Sequence, residues 1–345
     1  MFHEQNKKMN MLLDFKYFME FIDSLELDIE AIFEQAPELN ELPVYSLNGE
    51  KVSVYFKNEI RPHNVPILLN QTAKHPLLVA AKYITPKAKK NLKANKVNYL
   101  DSYGNAYIEI PQLKVYTEHG TGKPVIPDTT KVFTQAGAQL IFQLLNRPEV
   151  VNETVRHLAH ISQISLGSVS KIMNGLFDEG FLVQWNDDKK YQLIRKEELL
   201  DRWIPILNEK VLPNYKIGTY SFTGNLEEQW KTQFLRAKVW WSGEPGAALL
   251  TDYLYPEKYA LFTTLEVKEI MTVLKLVPDK KGKISLYAPF WGNTSTVSII
   301  NPEDLTKAKN HVNPLIIYAQ LIHSGEPRNI ETAQIIYNEH IAPKF

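Results

Sequence analysis

The chain has 345 residues, 44% hydrophobic and 23% charged, which is the balance of a soluble globular protein with room for two or three domains. It contains no cysteine, which excludes disulfides, zinc–cysteine sites and thiol nucleophiles and fits a reducing, cytoplasmic location. Its 39 Lys and Arg balance 39 Asp and Glu, which argues against a protein that coats nucleic acid through bulk charge.

The neutral total hides an asymmetry. Residues 1–50 carry 11 Asp or Glu against 3 Lys, whereas residues 51–100 carry 10 Lys or Arg against one Glu. The N-terminal MFHEQNKKMNMLLDF has no apolar core followed by a small-residue cleavage site, and no run of about 18 apolar residues occurs, so no membrane partner is expected. In chain order, Leu12, Leu13, Phe15, Phe18, Met19 and Ile22 recur at helical spacing and predict one or two amphipathic helices over 11–36 within an acidic segment, 1–44. Asn48-Gly49 between two alternating runs predicts a β-hairpin, since both residues readily take positive φ. An apolar run at 77–81, a helix starting near Pro86, and strands at 97–100 and 107–110 around Gly104-Asn105 then give a small α/β domain over 45–125. Its helix places Lys87, Lys89, Lys90, Lys93 and Lys96 together as an auxiliary basic surface for a DNA backbone or a partner, or as an ordinary solvated face. The Gly/Pro/Thr-rich 119–130 reads as a linker; its Gly120-Thr121-Gly122-Lys123 is followed by Pro124, which does not suit a phosphate loop.

The strand and helix order KVSVYFKN, helix, PLLVAAKYI, helix, VNYLDSYGN is similar to the core of PD-(D/E)xK nucleases. That chemistry needs a carboxylate two positions before a lysine, to hold a metal beside the attacking water. Tyr55 stands two before Lys57, so the motif is broken, although Asp101 and Glu109 remain candidate ligands beside their plainer readings as a turn residue and a solvated strand residue.

Over 131–200 the pattern is that of a winged helix-turn-helix. Ala138, Leu140, Ile141, Leu144 and Leu145 mark a first helix; Val155, Leu158 and Ala159 a second; and Val169, Ile172, Met173, Leu176 and Phe177 a third that Gly180 stops. FLVQWNDDKKYQLIR then reads as a hairpin wing. The second helix of such a pair enters the major groove, which nominates Ser168, Ser170, Lys171 and Asn174 for base contacts, and Lys189 and Lys190 on the wing for phosphates. A winged helix also serves as a protein-docking module, and this one is only mildly basic, with 8 Lys or Arg against 6 Asp or Glu over 131–196.

Residues 201–345 predict a mixed α/β domain: Trp240 and Trp241 before a turn cluster at 242–246, a short helix at 247–254, strands YALFTT and ISLYAPFW with a helix over 264–277 between them, and closing helices at 314–323 and 329–341. Glu244 is the charged group of the cluster, and Arg328 suits a fork pairing with a carboxylate. Trp241, Glu244 and Arg328 are nominated as a functional surface; the alternative makes the tryptophans core, Glu244 a helix cap and Arg328 half of a structural ion pair. No Ser-His-Asp set, metal cluster or phosphate loop is evident, so neither catalysis nor a cofactor is expected.

Together HPLLVAAKYITPKAKKNLKANKVNYLDSYGNAYIEI, the winged helix, LLDRWI, WWSGEPGAALLTDYLYPEKYALFTT, FWGN and NPLIIYAQLIHSGEPRNIETAQIIY resemble AbiEi-type antitoxins of type IV toxin-antitoxin systems, over about residues 50–340. The resemblance implies an abortive-infection regulator that represses its own operon and counters a nucleotidyltransferase-like toxin without needing to touch it. Here the winged helix is internal rather than N-terminal, and an extra nuclease-like module precedes it. Two other functions compete: a metal-dependent nuclease targeted by the winged helix, and a protein-interaction scaffold. The expected architecture is a mixed α+β chain of four parts: the acidic helical segment, the nuclease-like module, the central winged helix-turn-helix and the C-terminal α/β domain.

Overall fold

The computed structural model describes residues 18–35, 41–71, 73–119, 131–184, 190–224, 230, 238–291 and 310–345. The fold is mixed α/β, and the chain divides into two compact units, Met1–Ile126 and Pro127–Phe345. The stretches 131–200 and 201–345 both lie inside the second.

The first unit is built on a seven-stranded sheet in sequence order. Strands β1 (Ala31–Gln35), β2 (Val44–Leu47) and β3 (Glu50–Ile60) form an antiparallel meander whose β2–β3 turn is Asn48-Gly49, with φ +48 and +84. Helix α1 (Asn64–Leu69) and helix α2 (Pro86–Ala94) are the crossovers that carry β3 into parallel β4 (Leu77–Ile84) and β4 into parallel β5 (Asn98–Asp101). Antiparallel β6 (Ala106–Ile110) and β7 (Leu113–Thr117) complete the sheet. Alternation along each strand supplies two cores. Leu78, Ala80 and Leu100 face a layer with Phe18, Phe21 and Ile22 from a helix at 18–23, while Val79, Ala81 and Tyr99 face Val65 and Leu68 of α1 and Ala88 and Leu92 of α2. The helix expected as far as residue 36 therefore ends earlier: residues 31–35 form β1, because their backbone completes a ladder with β2.

The second unit centres on α3 (Gln135–Asn146), buried from Gly137 to Leu145. Its two buried glutamines are satisfied internally: Gln139 donates to the Phe290 carbonyl (2.9 Å) and Gln143 to that of Ile161 (2.8 Å). Around α3 lie α4 (Val155–Ser162), α5 (Leu166–Asp178) and a two-stranded hairpin, β8 (Leu182–Gln184) with β9 (Tyr191–Leu193). On another side α6 (Lys196–Ile206) packs Trp203 against Phe142, its indole N–H donating to the Ala138 carbonyl at 2.8 Å. Pro205 lies within α6, and a π turn, Leu207–Val211, follows before α7 (Leu212–Tyr215). Asn208 takes up the carbonyl of Ile204 there (2.9 Å). A five-stranded sheet, ordered β11-β12-β14-β10-β13, joins β10 (Lys216–Phe222), β11 (Val239–Ser242), β12 (Tyr259–Thr263), β13 (Leu276–Pro278) and β14 (Ile284–Tyr287). Helices α8 (Gly243–Thr251) and α9 (Val267–Val273) connect its strands, and α10 (Pro314–Ser324) and α11 (Pro327–Ile336) pack on α8.

Two readings of this unit change. The cluster at 242–246 is the entry and first turn of α8, not a turn before it. A Cβ on Gly246 would come within 2.8 Å of Ile317 Cδ1 and 3.0 Å of the Trp241 carbonyl, so glycine there is what lets α10 approach. The helix expected over 264–277 is shorter: Lys275, at φ +49, turns the chain out of it, and residues 276–278 pair with β10.

Candidate nucleic-acid interface and a clamped loop

The α4–α5 pair is fixed by local chemistry. Thr154 caps α4, accepting from His157 N, and Gln163 ends it at φ +55. After the three-residue turn 163–165, Ser165 caps α5, accepting from Ser168 N (3.2 Å). Gly180, at φ +70, ends α5 with Gly180 N and Phe181 N donating to Phe177 O and Leu176 O. The hairpin is tied back by Asn152, whose side chain accepts from Tyr191 N (2.7 Å) and donates to Tyr191 O (2.9 Å).

With Val169, Ile172, Gly175 and Leu176 buried, α5 turns Gly167, Ser170, Lys171, Asn174, Phe177 and Asp178 to solvent. Ser170, Lys171 and Asn174 thus share an exposed face. Ser168 is half-buried, its hydroxyl 2.8 Å from that of Ser165. Lys190 is exposed; Lys189 lies outside the described residues. The sequence reading passed over Arg156, His157 and His160, all exposed on α4, and Leu166, the 50%-exposed first residue of α5. The signal for the three α4 residues was available, because each falls off the apolar stripe of its helix, whereas Leu166, three before Val169 and seven before Met173, stands at the spacing of the buried stripe and is exposed at the helix start. Arg195 is exposed as well, but its guanidinium is already bonded to Glu198 and to the Glu179 carbonyl.

On α2, Lys87, Lys90 and Lys93 point to solvent, and Lys96 is exposed just beyond the helix. Lys89 does not belong with them. It is buried on the Ala88–Leu92 side, with Nζ 2.8 Å from Asp101 Oδ2. Asp101 is fully buried and also accepts from Tyr103 N (3.0 Å), Asn105 N (3.1 Å) and Asn105 Nδ2 (2.9 Å), so its oxygens are used in closing the β5–β6 turn. Glu109 is exposed and accepts from the Tyr107 hydroxyl (2.8 Å), which holds that phenol above its ordinary pKa. Nearby, burial first and then the charges of Glu118 and Asp101 push the Tyr99 phenol up to about 12. Among the described residues no three His, Asp or Glu side chains come together as a metal would require.

In the second unit, Trp241 is core rather than surface, packed edge-on against Trp230 at 5.5 Å and near Tyr259 at 6.2 Å. Glu244 is buried too, and the expected pairing with Arg328 is present: Nη2 lies 2.9 Å from Glu244 Oε2. The same carboxylate accepts from Glu257 N (2.7 Å), Lys258 N (3.1 Å) and Asn329 Nδ2 (3.2 Å), while Arg328 Nη1 donates to the Tyr255 carbonyl (3.1 Å). Instead of capping α8, Glu244 clamps the 252–258 loop to α11. That loop carries Tyr253 and Tyr255 outward, 55% and 66% exposed, a feature that DYLYPEK alone did not disclose.

The second unit is thus a helical cluster with a paired hairpin, joined to an α/β sheet domain that carries a clamped loop. Residues 192–342 match the model of a family described as transcriptional regulator, AbiEi antitoxin, type IV TA system, so the chain's resemblance to AbiEi antitoxins holds over these residues. Trp241, Glu244 and Arg328 fall inside the match, and the exposed face of α5 precedes it. No curated protein and no solved structure matches the chain. No helix among the described residues is long and apolar enough to cross a membrane.

Proposed function

We propose that the chain is a cytoplasmic DNA-binding transcriptional regulator that represses its own operon and acts as the antitoxin of a type IV, abortive-infection toxin-antitoxin system. In this reading α3, α4 and α5 with the β8–β9 hairpin are a winged helix-turn-helix, and α5 is the recognition helix on double-stranded operator DNA. The observation that carries it is the outward face of α5, where Ser170, Lys171 and Asn174 stand together behind a capped two-helix turn. Hydrogen-bonding side chains on such a face read base edges, while Lys190 and the α4 cations Arg156, His157 and His160 suit phosphates. The nuclease-like first unit contributes its α2 lysines as an auxiliary backbone-binding surface, and the use of Asp101 in the buried pair with Lys89 supports a role without metal catalysis. A gel-shift titration over the chain's own upstream region at several salt concentrations tests this. Specific, salt-sensitive retention is expected; salt-insensitive or absent binding would leave the scaffold reading in its place.

The antitoxin role is assigned to the Glu244–Arg328 region, which lies within the matched residues. The toxin is countered functionally, with no direct contact required. Glu244→Ala or Arg328→Ala, each folded and still binding operator, is expected to fail to relieve toxicity when co-expressed with the cognate toxin. Full rescue by both would reduce the pair to a structural clamp.

A further inference from the structure

The outward face of α5 begins and ends on an apolar side chain. At its far end Phe177, 49% exposed, meets the Tyr191 ring edge-on at 6.3 Å, so an aromatic neighbour lies within the chain. At its start Leu166 is 50% exposed on the same side as Ser170 and Asn174, one and two turns further on. Beside it Gly167 faces open space, for a Cβ there would meet nothing within 4 Å. The Ser168 hydroxyl is engaged with Ser165, which leaves Leu166 as the outward feature of the first turn. A lone exposed leucine is ordinary on a protein surface, but this one stands at the head of a hydrogen-bonding seam, and the apolar group that a major groove would set against it is the 5-methyl of thymine.

We infer that Leu166 reads a thymine methyl in the operator. That thymine lies within about four base pairs of the base contacted by Asn174, since eight helical residues span about 12 Å and stacked base pairs are about 3.4 Å apart. The inference rests on the DNA-binding reading above and adds a determinant of sequence to it.

The test takes the upstream fragment that the gel-shift titration retains and replaces each of its thymines in turn by deoxyuridine, which removes the methyl and keeps the hydrogen-bonding edge. Wild type is expected to lose affinity about fourfold at one such position, the burial worth of a single methyl group. Leu166→Ala, checked for folding by circular dichroism, should bind more weakly than wild type yet be indifferent to that same replacement, and Leu166→Met should keep the response. Operator binding with no deoxyuridine-sensitive thymine, or equal sensitivity in Leu166→Ala, overturns the inference and leaves the regulator reading intact. A wild-type protein that prefers no upstream fragment to random DNA removes both together.

Discussion

Helices α2 and α5 each turn a polar arc to solvent, and the two arcs are made of different chemistry. On α2, Lys87, Lys90 and Lys93 fall within about 120° of one another at 100° per residue, with no acidic side chain among them. On α5 the arc holds Ser170, Lys171 and Asn174 between two apolar residues, with Asp178 near its end. An ammonium donates in any direction and meets any phosphate, so a row of lysines attracts a duplex without telling one sequence from another. An amide has a donor and an acceptor at fixed geometry, and it can favour one base over the rest. Under the proposed function, the contrast would separate a surface that holds DNA from one that reads it.

The largest expected effect comes from the one lysine of α2 that is not on its arc. Lys89→Ala leaves Asp101 buried without its cation, and the first unit should lose about 3–5 kcal/mol of stability. Replacing the exposed Lys90 instead should change stability little. All six tryptophans lie beyond residue 126, so their fluorescence follows the second unit alone, while circular dichroism follows both. A Lys89→Ala protein whose circular dichroism transition in urea matches wild type would return Lys89 to the solvated face.

Next in size is the arc of α5. Asn174→Ala and Lys171→Ala should each weaken operator binding by about 1–3 kcal/mol while random DNA is bound nearly as before, because a lost base contact removes discrimination. Competition titrations against random duplex measure this directly. Equal losses on both kinds of DNA would make α5 a second holding surface and erase the contrast with α2.

How much of this was legible depends on the range of the interactions involved. Asn48-Gly49, Thr85-Pro86, Ser165 and Gly180 act within a few residues of themselves, and the hairpin, the starts of α2 and α5 and the end of α5 follow from them. Strands β1 and β13 form through ladders to segments distant in sequence, and local periodicity took both for helix. Lys89 shows a second kind of limit. In the run Lys87 to Lys90 nothing marks one lysine as buried, except that position 89 lies three before the buried Leu92; its partner Asp101 comes from the next strand. Trp241 could have been assigned to the core from the alternation of β11, where Val239 and Trp241 are buried and Trp240 between them is half-exposed. The clamp built by Glu244 was visible as a pairing but not as the support of a loop, because its backbone donors at 257 and 258 become neighbours only through the fold.

The smallest expected effect is the one that defines holding. If a lysine meets a phosphate, removing it releases one fewer counterion, and the slope of log affinity against log salt should fall by about one for operator and random DNA alike. Lys190→Ala on the hairpin should show this, and Lys189→Ala, at a position outside the described residues, is the natural companion. The combined Lys87→Ala, Lys90→Ala and Lys93→Ala replacement extends the measurement to the first unit. A slope reduced by about three would mean that all three cations of the α2 arc reach the duplex, whereas Lys93, which also lies 5.8 Å from the centre of the Tyr107 ring, is the one most easily withheld and would leave a reduction near two. An unchanged slope for the triple replacement, beside a reduced slope for Lys190→Ala, would confine DNA binding to the second unit and make the α2 arc a solvated face, its charge serving only to keep the first unit dissolved.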